Sequence, residues 1–113
     1  MSFECTLNDL DQARVVSLQG RLDSATAGQL EKQLQSLFEA PVRHVLFDMS
    51  ALDYISSAGL RIVLMTAKRA KQAQVRLVLC SMLPHVKEVF EISGFLKIIE
   101  CTDTREDALT RLA

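Results

Sequence analysis

The chain has 113 residues, the usual size of one domain built on one modest hydrophobic core. Apolar residues make up 49 % and charged residues 24 %, an ordinary globular balance that excludes disordered and fibrous classes. A net charge of −1 carries no basic excess, which argues against a general nucleic-acid binder.

Residues 3–10 and 13–18 read as two strands, with the polar stretch Asn8-Asp9-Leu10-Asp11-Gln12 as the turn between them. Gly20 is expected to follow the second strand. A helix is expected over residues 26–38, where Leu30, Leu34, Leu37 and Phe38 recur at helical spacing. Thr26 and Gln29 have the spacing of a capping box, with Ser24 as the other available cap, and Pro41 marks the exit. The next strand is placed over residues 42–49. Its continuous apolar run Val45-Leu46-Phe47 suits a central strand covered on both faces.

A second helix runs from about Ser57 to Gln72, and residues 75–80 form a clear strand. Pro84 suits the first turn of a third helix that ends near Gly94, with Val86, Val89 and Phe90 inward. Residues 97–100 read as a short strand. Residues 104–112 read as a last helix, capped by Asp103 or Thr104, with Ala108, Leu109 and Leu112 inward. The order β-β-α-β-α-β-α-β-α implies an α/β fold with right-handed crossovers. A mixed five-stranded sheet follows, with the first two strands as an antiparallel pair and four helices packed on it. No repeat or linker divides the chain, so residues 1–113 are expected to form a single domain.

The N-terminal Met1-Ser2-Phe3-Glu4 shows no secretory signal, and no apolar stretch approaches the roughly 20 residues that span a bilayer. The expected location is the cytoplasm, without membrane insertion. Cys5, Cys80 and Cys101 are widely spaced, which argues against a disulfide framework or a zinc site and for reduced, largely buried thiols. No Walker loop or G-x-G-x-x-G is present, and no cofactor or metal is implied. His44 and His85 have no Ser or Cys at a spacing that suggests a triad, so an enzyme is not expected.

The informative stretch is Asp48-Met49-Ser50-Ala51-Leu52-Asp53-Tyr54-Ile55-Ser56-Ser57-Ala58-Gly59-Leu60, which leaves a central strand and enters a helix. Functional sites of open α/β sheets gather there. Ser57 fits the N-cap, with small Ala58 and Gly59 leaving its hydroxyl accessible. A phosphate on it would be favoured by the helix N-terminus. Asp48 and Asp53 would add negative charge or hold a hydroxyl or a metal-bound phosphate donor. The structural alternative is that Ser57 only caps and Gly59 only permits close packing. On the helix itself, Leu60, Val63, Leu64 and Ala67 form the core stripe. Ile62 and Met65 are expected on the opposite face, among Arg61, Thr66, Lys68, Arg69 and Gln72, as a docking patch.

At these residues the chain resembles the STAS domain family, shared by anti-sigma-factor antagonists and the cytoplasmic parts of sulphate transporters. The resemblance rests on Gly20-Arg21-Leu22-Asp23-Ser24-Ala25-Thr26-Ala27, on the segment 46–60, and on Thr104-Arg105-Glu106-Asp107-Ala108-Leu109. It implies a partner-switching role of the anti-sigma-factor antagonist type. In such antagonists the serine matching Ser57 is phosphorylated by a serine kinase that is also an anti-sigma factor, and the resemblance implies the same of Ser57. The unphosphorylated form binds that kinase, and a PP2C-type phosphatase reverses the modification. Family members often carry Asp just before this serine. Ser56 stands there in this chain and offers a second hydroxyl. Partner contact is assigned to Asp23, Asp48, Asp53, Ser56, Ala58, Gly59, Arg61, Ile62, Met65 and Arg69, and a homodimer is allowed. The competing expectation is a non-switching STAS subunit of a lipid-transport ABC system.

Overall fold

The computed structural model describes residues 3–10, 13–39 and 41–112. Met1, Ser2, Asp11, Gln12, Ala40 and Ala113 lie outside them, and with Asp11 and Gln12 part of the expected turn. The elements are β1 (Phe3–Leu10), β2 (Ala13–Leu22), α1 (Ala27–Gln33), β3 (His44–Ile55), α2 (Ser57–Gln72), β4 (Arg76–Cys80), α3 (Pro84–Ile92), a 3₁₀ turn (Phe95–Lys97), β5 (Glu100–Thr102) and α4 (Arg105–Leu112). The five strands lie in sequence order, with β1 and β2 antiparallel and every later pair parallel. This is the expected mixed five-stranded sheet with four helices.

The two faces of the sheet hold two cores. Alternate strand residues such as Val16, Leu18, Val45, Phe47, Leu77 and Leu79 pack under α1, α2 and α3. The intervening residues Ala13, Val15, Leu46, Val78 and Cys80 pack under α4 through Ala108 and Leu112. That period-2 division explains why Val45-Leu46-Phe47 is apolar without a break: β3 is covered on both faces. Two glutamines of α1 cover the open edge of β1, since the Gln29 and Gln33 side-chain amides donate to the carbonyls of Phe3 and Cys5.

Several boundaries differ from the expectation. Strand β3 does not stop at Met49 but runs to Ile55. Opposite β2 it carries one extra residue between Asp48 and Ala51 and another between Leu52 and Tyr54. These bulges break the strict alternation by which a strand is read, and they curl its end. Gly20 lies inside β2 at the second irregularity, with φ 93° that only glycine adopts easily. Helix α1 ends at Gln33, and turns replace the expected last helical residues to Phe38. Neither Thr26 nor Ser24 caps it by the expected box; the Asp23 carboxylate accepts the Ala25 and Thr26 N–H groups instead. Of the strand expected over residues 97–100, only Glu100 lies in a strand. Gly94, with φ 76°, turns the chain into the 3₁₀ segment, and β5 begins only at Glu100. Thr104 caps α4 by accepting the Asp107 N–H.

Candidate functional site

Pairing between β3 and β4 ends at Asp48 and Cys80, whereas β2 and β3 continue together to Leu22 and Ile55. The two strands therefore extend as a ribbon past the rest of the sheet, and α1 and α2 start from its tip. Three contacts fix that tip. The Ser56 N–H donates to the Leu22 carbonyl at 2.8 Å. The Arg21 guanidinium lies 4.2 Å from the centre of the exposed Tyr54 ring. The His85 ring, from the first turn of α3, bonds through Nε2 to the Asp53 carbonyl. A carbonyl only accepts, so Nε2 carries the proton. His44 opens β3 at the other end of the strand.

Helix α2 spans Ser57–Gln72 as expected, but its cap lies one residue earlier than expected. Ser56, not Ser57, is the N-cap: its backbone is extended (φ −92°, ψ 174°) and its hydroxyl accepts the Gly59 N–H at 3.2 Å. Its carbonyl accepts the Leu60 N–H at 2.8 Å, so the backbone N–H, the backbone carbonyl and the hydroxyl oxygen of Ser56 each hold a partner inside the chain. Ser57 occupies the first helical position, exposed, and its hydroxyl makes no hydrogen bond among the described residues. Ala58 is half-buried beside it. Gly59 is buried against β2; a Cβ there would lie 2.5 Å from the Leu22 Cγ and 3.0 Å from the Leu22 carbonyl oxygen. Glycine is what lets the first turn of α2 rest on the end of β2.

Further along α2, Arg61 and Met65 are exposed and share with Ser57 one stripe at i, i+4, i+8. Ile62 does not join them. It is 8 % exposed and belongs to the core, and Thr66, also expected outward, is 2 % exposed. Both face α1, because α2 packs against α1 as well as the sheet, which widens its buried face. Arg69 also turns to α1: its guanidinium donates to the carbonyls of Leu34 and Gln35 and stands over the Phe38 ring at 5.0 Å. It closes the frayed end of α1. Ile62, Met65, Thr66 and Arg69 line, with Leu34, a shallow groove of about 110 Å³ between the two helices.

Of the acidic candidates, two reach the tip. Asp53 is exposed on β3. Asp23 is half-buried in the turn after β2. Desolvation pushes its carboxyl up, but the Thr26 hydroxyl, the Ala25 and Thr26 N–H groups and nearby Arg21 outweigh it and hold the pKa below the ordinary value. Asp48 is not brought there. It lies roughly 20 Å back along β3, on the α4 face, 3.3 Å from the Arg105 guanidinium and accepting the Ser50 N–H. Arg21 and Tyr54 join the tip through the register of β2 on β3, and His85 through its bond from α3 to the Asp53 carbonyl; none was expected at the site. Among the described residues no His, Cys, Asp or Glu group is arranged to hold a metal ion, and no helix is long and apolar enough to cross a membrane.

The STAS domain family model matches residues 5–108. BtrV of Bordetella bronchiseptica, a candidate anti-sigma factor antagonist by name, is 50 % identical over 106 residues, spanning 94 % of this chain and 91 % of that protein. The anti-sigma F factor antagonist of Paenibacillus polymyxa is 27 % identical over 99 residues, 87 % and 85 % of the two chains. Among solved structures, an anti-sigma factor antagonist from Mycobacterium paratuberculosis superposes with a TM-score of 0.89 at 25 % identity, over 97 % of this chain and 93 % of its own.

Proposed function

The chain belongs to the STAS domain family, and from that premise we propose that it is a phosphorylation-regulated partner-switching protein of the anti-sigma factor antagonist kind. It works as a single cytoplasmic domain, by binding and not by turnover. Unphosphorylated, it binds an anti-sigma factor that is also a serine kinase, and so frees the sigma factor. The kinase then transfers the γ-phosphoryl group of ATP to Ser57. The Oγ–P bond forms as the β–γ bond breaks, ADP leaves and the hydroxyl proton passes to the kinase. A PP2C-type phosphatase hydrolyses the ester and restores the binding form.

One observation carries this reading: the division of labour between two adjacent serines. Ser56 spends its hydroxyl on the cap, while Ser57 is exposed and uncommitted one residue later. Ser57 is therefore not needed as the cap, and its hydroxyl is open to a kinase. The names of the related proteins support the partner class. The docking face that fits best is the stripe Ser57, Arg61 and Met65, with Asp23, Asp53 and Tyr54 at its upper edge.

The test immobilises wild-type protein, recovers the serine kinase it retains from lysate of its source, purifies that kinase and measures Kd for wild type, Ser57→Ala and Ser57→Asp. Ser57→Ala is expected to bind like wild type, and Ser57→Asp about 100-fold more weakly. Equal binding by all three, or retention of transporter subunits in place of a kinase, refutes the switch and favours a constitutive STAS subunit of a lipid-transport ABC system.

A further inference from the structure

We propose that Arg61 is the internal counter-ion of phosphorylated Ser57, so that modification takes a cation out of the docking stripe while adding an anion to it. This rests on the switch reading for its biological meaning, though not for its chemistry.

Ser57 and Arg61 are the first and fifth residues of α2, both exposed, and so stand one turn apart on the same face. Side chains at this spacing have Cβ atoms about 5–6 Å apart, and the order favoured for an ion pair puts the anion N-terminal to the cation. A phosphoserine at 57 and an arginine at 61 have that order. The guanidinium fork matches two phosphate oxygens at once, and its long stem spans the remaining gap.

Arg61 is also free to respond. Arg21 is held over the Tyr54 ring, and Arg69 is held by the Leu34 and Gln35 carbonyls. Arg61 makes no ion pair or side-chain hydrogen bond among the described residues. The charged groups of the tip are few. The end of β2 carries Arg21 and Asp23, whose carboxylate is taken by the Ala25 and Thr26 N–H groups. From β3 comes the exposed Asp53, and from α3 His85, bonded to the Asp53 carbonyl. Residue 56 is a neutral serine occupied in capping, so no adjacent carboxylate competes for Arg61. Before modification, Arg61 is a cation unpaired among the described residues, on the same helix face as the hydroxyl. After modification it folds back onto its own phosphate.

The test uses the full chain with phosphoserine installed at position 57 during synthesis, and follows its second ionisation by ³¹P NMR in wild type, Arg61→Gln and Arg61→Lys. At low salt the phosphate is expected to titrate about half a pH unit lower in wild type than in Arg61→Gln. Arg61→Lys should keep part of that difference, and about 0.5 M salt should shrink it. Equal titration in wild type and Arg61→Gln overturns the proposal. The readout involves no kinase. Failure to find a kinase sinks the switch without touching this result, and equal ³¹P titrations sink the counter-ion without touching the switch.

Discussion

Replacing each of the two adjacent serines by alanine separates the cap from the acceptor. Ser56→Ala removes the oxygen that accepts the Gly59 N–H. Loss of such a cap costs about 1 kcal/mol. For a chain of 113 residues the unfolding entropy at the midpoint is about 0.24 kcal/mol/K, so the expected fall in Tm is about 4 °C. Ser57→Ala removes a hydroxyl that bonds nothing among the described residues, and alanine suits a first helical turn. Its Tm should stay within about 2 °C of wild type. Phosphorylation should show the reverse pattern. With the cognate kinase and ATP, intact-mass measurement should find one added phosphoryl group on Ser56→Ala and none on Ser57→Ala. The two assays together allow a clear refutation. If Ser57→Ala is the variant that melts early, Ser57 is the cap; if it is still phosphorylated, the acceptor lies elsewhere.

Gly59→Ala should lower Tm by about 4–8 °C although alanine is the better helix former, because its Cβ meets Leu22, which is fully buried and cannot step aside; a rise in Tm would show that the first turn is not in close contact with β2. Ile62→Ala should cost about 2–4 kcal/mol in urea unfolding, while Met65→Ala should change stability by about 0.5 kcal/mol or less and weaken binding to the kinase. Equal stability effects would show that the two do not lie on different faces. Burial pushes the Cys5 thiol from 9.0 up to about 11. A folded-state pKa raised in this way stabilises fully below pH 9.0 and loses that contribution as pH rises towards about 11, so the urea midpoint should fall over that window in wild type and fall less in Cys5→Ala.

The order and type of the elements were legible because each has an uninterrupted local signal. Val45-Leu46-Phe47 reads as a doubly covered strand and is one. What escaped the sequence was set by contacts between distant segments. The end of β3 was hidden because two bulges against β2 destroy the alternation from Asp48 to Tyr54. The last residues expected in α1 unwind where Arg69 and Arg14 supply donors to the carbonyls of Leu34, Gln35 and Leu37, removing the need for helical partners. Ile62 was misplaced because a single-sided stripe was assumed, and α2 has two neighbours. The cap of α2 was legible to within one residue, because a cap and its neighbour cannot be told apart by residue type when both are serine. Arg21, Tyr54 and His85 left no local signal, since a cation over a ring and a ring bonded to a backbone carbonyl arise only when β2, β3 and α3 converge.

The tip is held by groups that do not include Ser57. The Ser56 N–H on the Leu22 carbonyl, Gly59 against Leu22, Arg21 over Tyr54 and His85 on the Asp53 carbonyl would all persist with a phosphate in place. The helix N-terminus favours the added charge by about 0.3–1 kcal/mol at an exposed site. A hundredfold loss of partner affinity corresponds to about 2.7 kcal/mol. Under the proposed switch, modification therefore moves recognition several times further than it moves stability, and moves the two in opposite directions. A switch that unfolded its own helix would lose the surface that the phosphatase must later approach. On the proposed switch the domain would keep its shape and change only its charge, which is what a cycle of repeated modification and reversal requires of a domain this small.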